Sequence, residues 1–347
     1  MPKRILNKFR KKPAADEPKF ERITNETVSQ HREQVLAGGR KFKYPVQYAK
    51  HRLVINSILI FLGALFVTAA VVWWQLYSAQ NTGAFFYRVT QLLPFAVARV
   101  DDEPALYRDY LLEYRSSVHW LEKKTQNFDP SSSDGKRQAE YFKRKSLNKA
   151  EEIAYVRTVA EKYNLAVSDQ EIDAFINDAL KSSQRKLSQK SYEAVLSDSY
   201  GVSNDEYRSI VKNALLKKKV SFKIDADAQQ KITAAEKALK SGQTFEQVVA
   251  AYSDDEATKA ANGDVGFVPI RNNDQGIVRT AAKLQPGQTS SIIKGANAYY
   301  IVKLIETQSD QARYAQIKVS LNKFSKEFAN LKKNGKIKEY IKVSTKE

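Results

Sequence analysis

The sequence contains no cysteine and only three histidines among its 347 residues. The absence of cysteine excludes disulfide bonds, cysteine-ligated zinc, iron–sulfur clusters, thiol nucleophiles and a lipid-modified N-terminal cysteine. The histidines, His31, His51 and His119, lie far apart in the sequence, so we expect no transition-metal site. Neither of the usual glycine-rich phosphate-binding motifs occurs, and the sequence therefore predicts no nucleotide and no other cofactor.

Acidic residues are the minority charge, because 39 Asp and Glu face 57 Lys and Arg, which gives a formal net charge of +18. The excess lies at the two ends of the chain. Residues 1–52 carry 14 basic and 5 acidic side chains, and residues 311–347 carry 10 and 3. The residues between these ends are nearly neutral, with 33 basic and 31 acidic side chains. A nucleic-acid-binding domain would concentrate basic residues on a folded surface, so we expect no nucleic-acid partner.

One long apolar run, Leu53–Trp74, contains no charged residue, and none follows it before Arg88. As a helix with a rise of about 1.5 Å per residue, this run is long enough for a hydrocarbon core of roughly 30 Å. Trp73, Trp74 and Tyr77 stand at its end, where amphipathic aromatic rings favour the membrane interface. Basic residues crowd the segment before the run, so the positive-inside rule predicts a cytoplasmic N-terminus and extracytoplasmic C-terminal domains.

Two alternatives for this run are a cleaved signal peptide and a helix buried in a soluble domain. The apolar segment of a signal peptide is usually about 7–15 residues long, and its leading segment is short. The sequence therefore favours a single-pass protein of the cell membrane, with a transmembrane helix at residues 53–77. The basic residues 1–52 are then a cytoplasmic arm, which we expect to be mostly disordered.

Two helix starts with the same pattern mark the next region. Val167-Ser168-x-x-Glu171-Ile172 and Val202-Ser203-x-x-Glu206-Tyr207 each combine a capping box with an apolar pair at the spacing of a hydrophobic staple. Apolar residues with helical spacing follow both starts and also precede them. We therefore expect residues 96–220 to form an all-α domain.

The pattern changes near residue 220, where short alternating segments appear. Val220–Ile224 favours a strand, and residues 226–240 and 244–252 favour helices. Three further segments have strand-like composition: Gly263–Val268, Thr289–Ile293 and Tyr299–Ile305. Strands and helices in this order predict a small α+β domain at residues 221–310.

Several motifs resemble those of SurA/PrsA/PpiD-type foldases, which join a helical chaperone domain to a parvulin-type (rotamase) prolyl isomerase domain. The helical signatures begin at Tyr163 and Tyr200, and four parvulin-like segments follow in order: Phe245–Asp255, Asn262–Gly266, Leu284–Ser290 and Tyr299–Lys303. The resemblance implies a single N-terminal transmembrane helix, then an all-α chaperone domain followed by a small α+β parvulin-like domain. It also implies that residues 311–347 return to complete the chaperone domain. Tyr314–Val319 is alternatively a degenerate start of a second parvulin unit.

The resemblance also identifies candidate site residues and shows where this sequence departs from the family. Lys223 and Tyr300 stand at the positions where parvulins place histidines on the first and last strands, and no histidine occurs in 221–310. Asn273 and Ile277 stand near the positions of the proline-binding wall. The resemblance thus implies Asp255 as the catalytic candidate. It also implies six substrate-binding candidates: Lys223, Asp255, Phe267, Asn273, Ile277 and Tyr300.

The function that this combination implies is a membrane-anchored foldase or chaperone that binds unfolded secreted or envelope proteins through its helical and parvulin-like domains. Its expected partners are unfolded or newly translocated polypeptides and the lipid bilayer, with the secretion channel as a further candidate. Two alternatives are an active peptidyl-prolyl cis–trans isomerase with a divergent active site and a non-enzymatic envelope scaffold. Whether the protein is an enzyme stays open at this point.

Overall fold

The computed structural model describes residues 23–43, 45–125, 129, 131–182, 188–272 and 274–344. These residues divide into two compact units, one ending at Val71 and the other beginning at Val72. The first unit contains helix α1 (Asn25–Lys43) and most of helix α2 (Pro45–Tyr77). Within α2, the segment His51–Tyr77 is apolar and long enough to cross a membrane.

Helix α1 lies where the sequence predicted a mostly disordered arm, and that prediction is wrong for residues 25–43. The helix start is stabilised by Thr24, whose backbone N–H donates to Thr27 Oγ1 at 3.0 Å, and by Glu26 in the first turn. Both features satisfy or complement the free N–H groups of a helix N-terminus. Residues 1–22 of the arm lie outside the described residues.

The second unit begins with a mainly helical part, which contains the region predicted to be all-α, residues 96–220. Its elements are α3 (Ala84–Leu92), β1 (Ala96–Val100), β2 (Glu103–Leu106), α4 (Tyr107–Lys124), α5 (Ser133–Lys162), α6 (Asp169–Ser182), α7 (Gln189–Tyr200) and α8 (Asn204–Ile224). Both predicted capping boxes are confirmed, since Ser168 with Glu171 and Ser203 with Glu206 exchange the expected hydrogen bonds. The fold class is confirmed, with the addition of one small sheet.

Two of the three strands of this sheet are formed by residues that the sequence predicted to be helical. Strands β1 and β2 form an antiparallel hairpin, in which Val100 pairs with Glu103 across a turn that holds Asp101 at a positive φ of 52°. Asp tolerates this left-handed conformation better than most residues, which favours a tight hairpin turn here. The third strand, β7 (Ile337–Glu339), comes from the C-terminal end of the chain and pairs with β1.

Helix α8 continues through Val220–Ile224, so the strand predicted for this segment is wrong. Val220 and Ile224 are one helical turn apart and are buried in the core of the helical part. Phe222 points elsewhere and is buried in the core of the following α+β part. The alternation that suggested a strand therefore arises because one helix end packs into two different cores.

The α+β part contains a four-stranded antiparallel sheet with the order β3-β6-β5-β4. Its elements are α9 (Ala226–Lys240), α10 (Phe245–Tyr252), α11 (Glu256–Lys259), β3 (Asp264–Pro269), α12 (Ile277–Ala281), β4 (Ile293–Lys294), β5 (Ala298–Gln308) and β6 (Gln311–Ser320). One face of the sheet packs against α9 and α10 through residues such as Ile301 and Ile317. The other face packs against α12 through Val302 and Tyr314.

Strand β6 corrects the domain boundary expected at residue 310. It was expected either to return to the helical domain or to begin a second parvulin unit, but it lies between β3 and β5 in the sheet. Its pairing with β5 extends from Gln311–Gln308 to Ser320–Ala298. Only after Leu321 does the chain leave the α+β part, to form α13 (Lys323–Lys333) and β7. Phe324 and Ile341 are then buried in the core of the helical part.

Candidate functional site

The loop after α10 carries Asp255, and its preceding residues are fixed on strand β6. Asp254 donates its backbone N–H to the carbonyl oxygen of Lys318 at 2.7 Å and accepts a hydrogen bond from the backbone N–H of Ser320 at 2.9 Å. The buried Ser253 hydroxyl accepts a hydrogen bond from the backbone N–H of Lys318 at 3.3 Å. This loop is therefore held against the sheet by the residues that immediately precede Asp255.

The Asp255 carboxylate is occupied by two side-chain donors. It accepts a hydrogen bond of 2.8 Å from the Thr258 hydroxyl and one of 2.6 Å from the Gln316 amide. Gln316 lies on β6 opposite Val302 of β5, and paired residues in an antiparallel sheet share a face. Gln316 therefore connects Asp255 with the sheet face that packs against α12.

Gly263 allows the backbone of the next segment to approach this position closely. It has a φ of +86°, and a Cβ placed on it would lie 2.6 Å from the carbonyl oxygen of Gln316. The Gly263 carbonyl accepts a hydrogen bond of 2.8 Å from the Gln316 N–H. Any side chain at residue 263 would therefore displace the central strand at the site.

Two tyrosines lie on the same face of the sheet as Gln316. Burial raises the pKa of the Tyr300 hydroxyl, and the negative charges of Asp255 and Asp274 raise it further. Burial likewise raises the pKa of Tyr314, with additional contributions from Asp274 and Tyr300. Asp274 itself accepts hydrogen bonds of 3.1 and 2.9 Å from backbone N–H groups at the start of α12. Both phenols therefore stay protonated at neutral pH and can donate hydrogen bonds.

The remaining candidates from the sequence do not share this arrangement. Lys223 lies on helix α8, where its ammonium group is 5.7 Å from the centroid of the Tyr163 ring in the helical part. Because it is not on a strand of the sheet, its assignment to the first-strand position is wrong. The residue on the central strand that contacts Asp255 is Gln316, which the sequence analysis did not identify.

The apolar candidates have different surroundings. Ile277 is the first residue of α12 and is buried in the same core as Val302 and Tyr314. Phe267 is 40% exposed and pairs with Arg313, which places it on the face opposite Tyr314. Asn273 lies outside the described residues. The structure thus brings Asp255 and Tyr300 into one electrostatic cluster and separates Phe267 and Lys223 from it.

The cluster contains protonated phenols, an amide and a carboxylate that already accepts two hydrogen bonds. These groups can bind a peptide backbone by hydrogen bonding. Among the residues that the structure describes, no three His, Asp or Glu side chains converge as metal ligands. The arrangement therefore presents hydrogen-bonding groups beside the apolar core under α12.

Comparison with known proteins identifies two domains. The family model of the SurA-like N-terminal domain matches residues 47–221, and that of the PPIC-type PPIase (rotamase) domain matches residues 214–306. The second match ends before β6, although β6 is the strand between β3 and β5. A curated relative, the chaperone SurA of Methylobacillus flagellatus, is 33% identical over 119 residues, which are 32% of this chain and 27% of the relative.

The match to the SurA-like N-terminal domain extends over half of the chain, and the PPIC-type match adjoins it in the order found in SurA/PrsA-type foldases. Together they agree with the helical part and the four-stranded sheet described above. The protein therefore belongs to the SurA-like N-terminal domain family, with a parvulin-type PPIase domain joined to it.

Proposed function

We propose that this protein is a membrane-anchored extracytoplasmic chaperone that binds unfolded or newly translocated polypeptides and does not depend on rapid prolyl isomerisation. The observation that carries the proposal is the state of Asp255, whose carboxylate is engaged by Gln316 and Thr258 on a sheet face without histidine. A site of this kind supplies hydrogen bonds and apolar surface, which suit the passive holding of extended segments.

Efficient isomerisation would place stronger demands on the site. Rotation about a prolyl bond crosses a barrier of roughly 18–20 kcal/mol, and an enzyme must bind the twisted amide more tightly than the planar one. The phenols of Tyr300 and Tyr314 stay protonated, and the amide of Gln316 is directed to Asp255. Because Asp255 and Gln316 are engaged with each other, neither group is directed at a substrate amide as it twists.

Membrane anchoring is supported by the apolar segment His51–Tyr77. Large apolar side chains along this segment are exposed on the surface of the helix, for example Leu59, Phe61 and Phe66. A contiguous apolar surface of this length is unfavourable in water and favourable in a bilayer. Retention at the membrane, with the N-terminus in the cytoplasm, would raise the effective concentration of the chaperone where chains emerge from the secretion channel.

The experiment compares two activities of the full chain in lipid nanodiscs. One assay follows the aggregation of an unfolded client, and the other follows the refolding of a client whose slow step is prolyl isomerisation. We expect aggregation to be suppressed at protein concentrations comparable with the client, while the slow refolding rate stays within about twofold of the uncatalysed rate. Failure to suppress aggregation would overturn the proposal.

A second candidate function, a working isomerase, is favoured by the match of the PPIC-type PPIase domain across residues 214–306. It predicts a faster slow phase in the same refolding assay and a loss of that acceleration in Asp255→Ala. The two candidates therefore give opposite outcomes in one measurement.

The absence of native cysteine makes the membrane topology directly testable. Single cysteines introduced at Ser29 in α1 and at Ser241 after α9 can be labelled in intact cells whose outer barrier is permeable to a membrane-impermeant maleimide. We expect label at residue 241 and none at residue 29 until the membrane is solubilised. Equal labelling before solubilisation would contradict an N-terminus in the cytoplasm.

A further inference from the structure

A groove of about 610 Å³ lies where α6, α8, α9 and β4 meet. Its apolar wall includes Leu165, Leu215 and Phe222. Four lysines also line it: Lys218, Lys219, Lys223 and Lys294. Among the described residues that line the groove, the only acidic one is Glu171. The groove thus combines an apolar surface with an excess of positive charge.

Two of these lysines have local partners. The ammonium group of Lys219 forms an ion pair with Glu171 at 2.6 Å. The ammonium group of Lys223 lies 5.7 Å from the centroid of the Tyr163 ring, which is within range of a cation–π interaction. Glu171 therefore compensates the charge of Lys219, whereas the Tyr163 ring contacts Lys223 without neutralising it.

The other two lysines have no carboxylate within ion-pair distance in the part of the chain that the structure describes. Lys218 is half-buried and donates hydrogen bonds to the Gln275 side chain at 2.6 Å and to the carbonyl oxygen of Lys294 at 3.3 Å. Burial lowers the pKa of Lys218, and the positive charge of Lys294 lowers it further. The Lys294 ammonium group lies over the ring of Phe222, 5.5 Å from its centroid.

Two neighbouring cations, one of them partly desolvated, repel each other in this position. A carboxylate placed between them would accept charge-assisted hydrogen bonds and remove that repulsion. The side chains of Leu165 and Leu215, which are only partly buried, offer contact surface for an apolar side chain on the same ligand. This combination fits a polypeptide better than a free inorganic anion, which would leave the apolar wall uncovered.

We propose that this groove binds extended polypeptide segments in which an Asp or Glu side chain adjoins apolar residues. The carboxylate lies between Lys218 and Lys294, and the apolar residues pack against Leu165 and Leu215. The inference rests on the proposed chaperone function and assigns to it a class of client segment, recognised at the junction of the helical and α+β parts. None of Asp255, Tyr300 and Gln316 lines the groove.

The test uses the full chain in zwitterionic nanodiscs and short fluorescent peptides whose termini are blocked, so that only side chains carry charge. The peptides share the same Phe and Leu positions and differ in carrying Glu, Gln or Lys between them. We expect the Glu peptide to bind about tenfold more tightly than the Lys peptide, with the Gln peptide between them. In the double variant Lys218→Gln with Lys294→Gln, this preference should fall to within about twofold.

The matched control is Lys237→Gln with Lys338→Gln, which removes the same charge at two exposed positions outside the groove. It should retain the preference of the wild-type protein. Equal binding of the Glu and Lys peptides to the wild-type protein would overturn the inference, as would a preference that persists in the groove variant.

Two further arms separate the alternatives. Anionic vesicles that contain phosphatidylglycerol are added as a competitor, and binding of these vesicles through Lys218 and Lys294 without binding of the Glu peptide would identify a lipid site and overturn the inference. The aggregation assay is run on the same preparations. Suppressed aggregation without a charge preference refutes the groove assignment alone, whereas loss of both activities refutes the chaperone function and the assignment that rests on it.

Discussion

The guanidinium group of Arg279 donates two hydrogen bonds, each 2.7 Å long, to the two carboxylate oxygens of Asp178. Arg279 lies on α12 against the sheet, and Asp178 lies on α6 in the helical part. The bidentate geometry fixes both distance and orientation between the two elements. This pair therefore connects α12, which packs on the sheet, with α6 of the helical part.

Arg279→Ala should loosen α12 more than it destabilises the whole protein. The two side chains are 32% and 42% exposed, so we expect a loss of about 0.5–1 kcal/mol in the free energy of unfolding. Hydrogen exchange should become faster in residues 277–281. The control is Arg208→Ala, which breaks an ion pair between α6 and α8 inside the helical part. Equal acceleration of exchange in α12 for both variants would contradict a specific role for Arg279.

Asp225 connects the two points where the chain enters and leaves the α+β part. Its buried carboxylate accepts hydrogen bonds from the backbone N–H groups of Ala228 at 3.1 Å, Asn322 at 2.8 Å and Lys323 at 2.9 Å. Asp225→Ala leaves all three donors without this acceptor, and we expect a loss of about 2–3 kcal/mol in the free energy of unfolding. Urea denaturation followed by circular dichroism measures it. A loss no larger than that of the exposed Asp227→Ala would show that water replaces these bonds.

The helices were predictable from the sequence because their signals are local. A capping box needs residues only three positions apart, and the boxes at Ser168 and Ser203 were both identified. The strand assigned to Val220–Ile224 failed for a non-local reason, since one helix end there serves two cores. No short window of sequence contains that information.

The candidate site was predictable only where one segment carries its residues. Asp255 and Tyr300 stand in motifs that were recognised. In the structure, burial and the charge of Asp255 both raise the pKa of Tyr300. Gln316 was missed because its contact with Asp255 depends on β6 entering the sheet between β3 and β5. Such pairing is set by long-range packing, and the alternation in Tyr314–Val319 gives no indication of the partner strand.

A fragment limited to the matched residues 214–306 should not fold on its own. It lacks β6, which separates β3 from β5 and contributes Ala315, Ile317 and Val319 to the core under α9. Without this strand, β3 loses its partner and an apolar sheet edge is exposed. We expect disorder or aggregation by NMR, and recovery of a dispersed spectrum in a fragment that extends from 214 to 322. A folded 214–306 fragment would contradict the structural role of β6.

Glu151→Gln should stabilise the protein at neutral pH. Glu151 is fully buried, and burial raises the pKa of its carboxyl despite the ion pair with Lys332 at 2.9 Å and the nearby Arg144, while Glu339 raises it further. Because the folded-state pKa is raised, the carboxyl stabilises the fold at low pH and loses that contribution as pH rises through this pKa. We expect a gain of about 1 kcal/mol at pH 7 that vanishes at low pH.

Glu152→Gln is the matched control, because the pKa of Glu152 is shifted in the opposite direction from that of Glu151. Burial raises the pKa of Glu152, but Lys217 and Lys149 outweigh this effect and lower it overall. Glu152 therefore stabilises the fold at neutral pH, and that contribution is lost as pH falls through its lowered pKa. Chemical denaturation across the pH range should show a loss of about 1 kcal/mol for this variant at neutral pH. Curves of the same sign for both variants would refute the assignment.

Histidines introduced on strands β5 and β6 should create isomerase activity if the lack of histidine limits catalysis. The double variant is Gln316→His with Tyr300→His, which places imidazoles on the two paired strands beside Asp255. We expect the slow refolding phase of a proline-limited client to accelerate about tenfold, which corresponds to roughly 1.4 kcal/mol of additional transition-state stabilisation.

Gln316→Asn is the control, since it shortens the amide that reaches Asp255 without adding an imidazole. Gln316→His alone serves as the test if the double variant does not fold. An unchanged slow phase in the folded histidine variants would show that the missing histidines do not limit catalysis, and equal acceleration in Gln316→Asn would assign the effect to release of Asp255.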